Sequence, residues 1–166
     1  MNIRSESLSD IAAIEALSED AFKSVTHSSH TEQFIVNALR KADQLSISLV
    51  AELKGAIVGH VAVSQVSISD ASQAWFGLGP ISVAPEHQKK GIGSSLMKQA
   101  IAALQHLGAS GCVVLGDPQY YHRFGFEVSP DLVLPGVPPE HFQALSFNLQ
   151  RPKGEVSYHE AFNAQS

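Results

Sequence analysis

Two lysines and two glycines lie close together in the segment PEHQKKGIGSSL, residues 85–96. Lys89 and Lys90 precede Gly91 and Gly93, and an amphipathic pattern follows directly. The first turn of a helix has unpaired N–H groups and carries the positive end of the helix dipole. Glycines at that place let an anion approach the backbone closely. The segment therefore predicts a phosphate-binding helix start, or a strand-to-helix turn that needs glycine only for its geometry.

Two common phosphate-binding motifs do not account for this segment. A P-loop has a lysine and then a serine or threonine directly after its last glycine, whereas Ser94 and Ser95 follow Gly93 here. A dinucleotide-binding fingerprint has a third glycine, where this chain has Leu96, and an acidic residue about 20 positions further on. The chain near Val113 is apolar instead. The first motif fails and the second matches poorly.

A third pattern fits better, and it carries a resemblance to a known family. Residues 88–93 read Gln-x-x-Gly-x-Gly between an apolar strand pattern and an amphipathic helix pattern. This resembles the acyl-CoA pyrophosphate loop of the GNAT superfamily of N-acyltransferases. Downstream, YYHRFGF resembles that family's Tyr-x-x-x-Gly-Phe segment, with Tyr121 four residues before Gly125 and Phe126 after it. The resemblance covers most of the chain, from its start to about Val128.

The resemblance implies an N-acetyltransferase that moves an acetyl or other acyl group from acetyl-CoA, its co-substrate, to a primary amine by direct attack. In this interpretation Tyr121 is the general acid toward the CoA thiolate. The ordinary pKa of a phenol is about 10, near that of a thiol leaving group. The alternative role for Tyr121 is packing against CoA, as Tyr120 does beside it. The alternative function is a non-catalytic acyl-CoA-binding sensor or regulatory module.

The resemblance also assigns the contacts to acetyl-CoA. Backbone N–H groups of the glycine loop hold the pyrophosphate, and an N–H of the strand GPISV polarises the thioester carbonyl. Gly77, Gly79 and Pro80 predict a bulge where this strand splays from the next one, although a plain edge strand is the alternative. Asp117 is expected to cap the short helix that carries the tyrosine. The predicted cofactor-binding residues are Ile81, Ser82, Val83, Gln88, Lys89, Lys90, Gly91, Ile92, Gly93, Ser94, Asp117 and Tyr121.

The sequence does not identify the general base. The candidates are Glu52, His60, Glu86, His122 and Glu127. The strand pattern WFGLGPISV contains no acidic residue that could serve directly. His60 either faces the cleft or is a buried, hydrogen-bonded histidine.

The acceptor is expected to be a small-molecule or peptide amine. In the family, the first two helices, their connection and the C-terminal strands build this site, which here means residues 21–34 and 133–147. The first segment contains His27, His30 and Glu32, and the second contains Glu140 and His141; such polar and acidic groups suit a cationic amine. His27 and His30, three residues apart and near Glu32, have the only spacing that suggests a metal site, and solvated loop histidines are the preferred interpretation. No metal is expected.

The elements that position these residues are predicted in the order β, α, α, β, β, β, α, β, α, β. Apolar residues recur at helical spacing after a short first strand, and a second helix is predicted from Thr31 to Lys41 with a Ser29–Glu32 cap. A hairpin at Lys54-Gly55, a third strand, a helix that stops at Gly108, and a short strand follow. A helical turn, a proline-rich loop and a last strand in FQALSFNL complete the pattern, and the tail GEVSYHEAF has no clear period.

The pattern predicts one mixed α/β domain over residues 1–166, and the resemblance adds a mostly antiparallel sheet splayed between strands 4 and 5 and flanked by helices. The net charge of −5 argues against a nucleic-acid partner. One cysteine, Cys112, and no signal-like start predict a cytoplasmic protein. No apolar run approaches the roughly 20 residues of a membrane span. A homodimer is compatible with the family and is not decided by the sequence.

Overall fold

The fold contains eight strands and four α-helices within residues 1–26 and 28–166, the part of the chain that this computed structural model describes. The strands are β1 Asn2–Ser5, β2 Ile47–Leu53, β3 Ala56–Ile68, β4 Trp75–Val83, β5 Gly111–Leu115, β6 Leu132–Val133, β7 Phe142–Ser146 and β8 Gly154–Ser157. The helices are α1 Ile11–Phe22, α2 Glu32–Lys41, α3 Ile92–His106 and α4 Pro118–His122.

One sheet organises the molecule. Six of its eight strands follow the order β1-β2-β3-β4-β5-β7, in which all neighbours are antiparallel except β4 and β5; β8 joins this path at β3 and pairs in parallel with β6. The predicted mixed α/β class with a mostly antiparallel sheet is confirmed. The tail, for which no element was predicted, contains β8, which pairs with the end of β3 through Ser67 and Ile68. A strand of this length shows too few residues for a period, so its pairing partner defines it.

Helices cover both faces of the sheet, and the alternation of side chains along β3 divides the core between them. Val61 and Val63 belong to the cluster that buries Leu96 and Leu104 of α3. Ala62, which points to the other face, packs with Ile14 of α1 and Val36 of α2. The predicted α3 helix is confirmed, including its end near Gly108, where φ is +81°.

Strands β4 and β5 separate after three paired residues. They pair in parallel only over residues 75–77, and β4 then continues to Val83 with β3 as its partner. Between the pairs Val63↔Leu78 and Val61↔Ile81, β4 has one residue more than β3. The predicted bulge at Gly79 and Pro80 and the predicted splay are therefore confirmed.

The start of α2 differs from its prediction. Its first residue is Glu32, and Ser29 does not cap it, because the Ser29 hydroxyl lies 2.5 Å from the hydroxyl oxygen of Thr31. The contact to Glu32 comes from Ser28 instead. Neighbouring serines offer the same chemistry, so the sequence pattern does not distinguish Ser28 from Ser29 as the partner of Glu32.

Candidate active site

The glycine loop presents free amide groups at the head of α3. Gly91 adopts a left-handed φ of +84° directly before the helix, and Lys89 is left-handed as well. The first helical amide with a partner is that of Ser95, which donates to the Gly91 carbonyl at 3.0 Å. In the part of the chain that the structure describes, the amide groups of residues 89–94 have no acceptor. Such a run of N–H groups at a helix start suits an anion.

The side chains of the loop play different structural parts. The side-chain amide of Gln88 (Nε2) donates to the Val83 carbonyl at 3.1 Å, which connects the loop to the end of β4. The Ile92 side chain is buried in the core, so only its backbone faces outward. Lys89 and Lys90 are exposed and bring positive charge to the loop.

The predicted strand residues Ile81, Ser82 and Val83 differ in whether their N–H groups face the open edge of β4. Ala84 donates its N–H to the Val58 carbonyl of β3 at 2.9 Å. Because successive N–H groups of a strand point to opposite edges, the Ser82 amide also faces β3, and those of Ile81 and Val83 face the open edge. The Ser82 side chain is buried, 3.5 Å from the Ser18 hydroxyl. This geometry favours Ile81 and Val83 as donors to a ligand.

Tyr121 lies on α4, at the carboxyl end of β5. The expected cap is confirmed, because Asp117 accepts the Gln119 N–H at 2.9 Å. The Tyr121 ring packs edge-on against Phe126 with the centroids 6.0 Å apart. It also lies over Gly116, where an added Cβ would be 2.8 Å from its ring. Burial, with smaller contributions from Tyr120 and Asp117, raises the pKa of Tyr121 to about 12, so the phenol keeps its proton at neutral pH.

A cavity of about 450 Å³ connects Tyr121 with the bulge of β4. Its walls come from β4, from the α1–α2 region and from the C-terminal part of the chain. The cavity is mostly apolar. It is lined by Phe22, Glu32, Ile35, Leu78, Gly79, Pro80, Ile81, Leu115, Tyr121, Leu134, Tyr158 and Phe162.

None of the five predicted base candidates lines this cavity. Among the described lining residues, Glu32 is the only carboxylate. The sequence placed Glu32 in the acceptor region but not among the bases. Only the packing of α2 beside β4 brings it near Tyr121, and the chain between them gives no local signal of this.

His60 is fully buried on the sheet face that packs against α1 and α2, away from the cavity lining. Its Nε2 lies 2.8 Å from the Ser48 hydroxyl and 4.0 Å from a Glu6 carboxylate oxygen. Burial lowers the pKa of His60 to about 4; Glu6 opposes this effect and Arg40 adds to it. The alternative of a buried histidine is confirmed.

Other chemistry finds little support in the described residues. No three of their His, Cys, Asp and Glu side chains are grouped closely enough to hold a metal ion, and His27 of the suggested metal spacing lies outside the described residues. Cys112 is a core residue, and burial raises the pKa of its thiol. Within the described chain, no helix combines the length and the apolar character of a membrane span.

Comparisons with known proteins agree with this geometry. A family model described as Acetyltransferase (GNAT) domain matches residues 44–128. The chain is 33% identical to the N-acetyltransferase YhbS of Escherichia coli strain K12 over 171 positions, which covers 98% of this chain and 99% of that protein. It is also similar to a crystal structure of a GNAT family acetyltransferase from Brucella melitensis in complex with acetyl-CoA, with 45% identity, a TM-score of 0.87 and 97% of each chain covered. The crystal structure of Escherichia coli YhbS in complex with CoA gives a TM-score of 0.89 at 32% identity, covering 99% of this chain and 93% of that one.

Proposed function

The chain belongs to the GNAT family of acetyltransferases, and we propose on this basis that residues 1–166 form one domain that transfers an acetyl group from acetyl-CoA to a primary amine. The observation that carries the proposal is the run of free amide groups at residues 89–94, next to the open edge of β4. Similar proteins have been crystallised with acetyl-CoA and with CoA, which supports the choice of co-substrate.

The residues at this site suit both ends of acetyl-CoA. Amide groups of residues 89–94 would hold the pyrophosphate, with Lys89 and Lys90 adding charge. The open edge of β4 would take the pantetheine amides as an added strand does. An N–H of Ile81 or Val83 would then donate to the thioester carbonyl oxygen, where negative charge develops during attack.

Tyr121 is proposed to assist the departing sulfur. The amine nitrogen attacks the thioester carbonyl carbon, a C–N bond forms and the C–S bond breaks. Tyr121 donates its hydroxyl proton to the sulfur, and the proton that the amine loses restores the phenol, so the products are an amide and CoA thiol. Because the pKa of Tyr121 is about 12, above that of a thiol near 8.5, the phenolate that this transfer leaves is a strong base and regains a proton from the amine at once.

A calorimetric titration with acetyl-CoA tests the binding step. We expect micromolar binding to the wild type and a loss of affinity in Gly91→Ala, because the added methyl group would stand at the phosphate site on a left-handed backbone. Gly55→Ala is the matched control: Gly55 has φ +82° and open space around its Cβ, but lies in the β2–β3 hairpin.

The outcomes separate the possible functions. Equal affinity of Gly91→Ala and Gly55→Ala for acetyl-CoA would show that residues 89–94 do not bind the pyrophosphate. An absence of binding by the wild type would overturn the proposal. CoA release from acetyl-CoA in the presence of an amine distinguishes the enzyme from a non-catalytic acyl-CoA-binding module, which would bind acetyl-CoA and turn over none.

A further inference from the structure

The cavity beside Tyr121 has walls that suit an apolar group. Phe22 and Ile35 contribute from α1 and α2, and Leu78 contributes from β4. Leu134 and Phe162 close the cavity from the C-terminal part of the chain. Contact with such walls removes hydrocarbon surface of a ligand from water, which favours binding.

One wall is a fixed aromatic surface. The Tyr158 and Phe162 rings meet edge-on with their centroids 4.8 Å apart. The Tyr158 ring lies so close to Gly77 of β4 that a Cβ there would be 2.6 Å from a ring carbon. Burial raises the pKa of Tyr158, so this wall stays uncharged. The next residue before Phe162, Ala161, packs with Ile35 of α2, which anchors the wall on its other side.

Glu32 brings a negative charge to this apolar cavity. Its two carboxylate oxygens lie 2.8 and 2.7 Å from the Ser28 hydroxyl, which itself accepts the His30 N–H at 2.8 Å. One hydroxyl proton satisfies only one of the carboxylate lone pairs, so the others remain free to accept. Among the described residues, no Lys or Arg forms an ion pair with Glu32. A ligand ammonium is the partner that this oriented carboxylate lacks.

We propose that the acceptor is a small monoamine with an apolar or aromatic body, whose ammonium group is bound by Glu32 and whose body fills the cavity. The bound ammonium releases one proton to solvent before its nitrogen attacks the thioester as the neutral amine. This inference rests on the acetyl transfer proposed above and narrows its substrate class. A diamine would place its second cation among apolar walls without a partner. An amino acid would bring a carboxylate next to Glu32, and the described lining offers it no cation.

A matched set of acceptors tests the substrate class. CoA release is measured at saturating acetyl-CoA with 2-phenylethylamine, pentylamine, 1,4-diaminobutane and phenylalanine. Phenylalanine differs from 2-phenylethylamine only by its carboxylate, and the diamine differs from an alkyl monoamine by its second cation. We expect kcat/KM for both monoamines to exceed those for the other two by at least about tenfold. A higher value for the diamine or for phenylalanine would overturn the proposal.

Glu32→Gln tests the recognition group. The amide keeps the size of the side chain and removes its charge, so we expect KM for 2-phenylethylamine to rise about tenfold or more with a smaller change in kcat. Glu15→Gln is the control, because Glu15 is an exposed carboxylate on α1 that bonds Asn37 outside the cavity. An unchanged KM in Glu32→Gln would assign the ammonium to another group and overturn the proposal.

A second measurement separates this inference from the proposed reaction. The same amines are titrated by calorimetry into the wild type and Glu32→Gln proteins, each saturated with CoA. Amine binding that depends on Glu32 without any turnover would support the substrate class and contradict the enzyme. Turnover of other amines in preference to the monoamines would support the enzyme and contradict the substrate class. If the enzyme shows no turnover and amine binding does not depend on Glu32, the inference is overturned.

Discussion

The Tyr121 hydroxyl can be removed without disturbing its surroundings, because Phe126 and Gly116 contact the ring and not the oxygen. If the hydroxyl assists the departing sulfur, Tyr121→Phe should lower kcat by about 10²-fold or more, as loss of a general acid does. The affinity for acetyl-CoA should change little. Steady-state rates and calorimetric titration check the two quantities.

Tyr120→Phe is the matched control for this change. Tyr120 stands next to Tyr121, with ring centroids 5.1 Å apart, but does not line the cavity. An equal loss of kcat in both variants, or a loss of acetyl-CoA affinity in Tyr121→Phe alone, would indicate that Tyr121 packs against CoA and is not an acid.

The raised pKa of Tyr121 predicts the alkaline side of the pH profile. A general acid must be protonated, so its contribution is lost as pH rises through its pKa. Burial raises the pKa of Tyr121 to about 12. We therefore expect kcat, measured at saturating substrates, to show no decline from this residue up to about pH 10.5, whereas an ordinary phenol would already be more than half ionised there. A fall in kcat centred near pH 10 that Tyr121→Phe abolishes would contradict the burial.

The position of Glu32 in the cavity could not be predicted from the sequence. The residues of the glycine loop were found because helix capping and glycine spacing are local signals. Glu32 was grouped with the acceptor region, but its approach to Tyr121 depends on how α2 packs beside β4. Candidate bases such as His60 were chosen for their chemistry, and the side of the sheet that each one faces is set by register, which the chain does not display locally.

At the scale of elements, the position of α4 depends on close contact between the Tyr121 ring and Gly116 at the end of β5. Gly116→Ala would place a Cβ 2.8 Å from that ring, so the ring or the helix must shift. We expect kcat to fall by about tenfold or more, since misplacement of a reacting group by about 1 Å can cost 10²-fold. Rates together with thermal melting distinguish a displaced tyrosine from an unfolded protein.

Gly136→Ala serves as the comparison for this variant. Gly136 also has a positive φ, +87°, but an added Cβ there meets nothing within 4 Å. If both substitutions lower kcat alike, backbone strain and not the position of Tyr121 explains the loss.

The elements themselves divide into those with local signals and those without. The amphipathic period gave α3, and Gly79 with Pro80 gave the bulge in β4. Strand β8 was missed, because it exists through pairing with the distant end of β3 and with the two-residue β6. A short strand stabilised by long-range hydrogen bonds leaves no periodic pattern to read.

The whole molecule assembles its cavity from three separate parts of the chain. The α1–α2 region, β4 with α4, and the segment from Leu134 to Phe162 each contribute one wall. The sequence predicted Tyr121 and the bulge of β4, and it named residues 21–34 and 133–147 as acceptor-site residues. Tyr158 and Phe162 lie beyond those ranges and reach the cavity because β8 holds the tail against β3.

The stability of the whole fold should depend on pH through His60. Its pKa is lowered to about 4 by burial, against an unfolded value of about 6.5. Between these values the unfolded chain binds a proton that the folded protein does not, so the free energy of unfolding falls as pH falls. The loss should be about 2 kcal/mol between about pH 7.5 and pH 5. Urea unfolding at the two pH values measures it.

This pH window isolates His60 from the neighbouring carboxylate. The pKa of Glu6 lies below its ordinary value, because the opposing effect of burial is outweighed by hydrogen bonds from Arg40 and Ser48. Glu6 therefore stays charged above pH 5. His60→Asn should therefore remove most of the pH dependence while lowering stability at pH 7.5, because a smaller side chain leaves empty space at this fully buried position and removes the 2.8 Å contact between Nε2 and the Ser48 hydroxyl. His106→Asn, at an exposed position on α3, should keep the wild-type dependence. An unchanged pH dependence in His60→Asn would mean that His60 gains access to solvent or a proton acceptor in the folded protein.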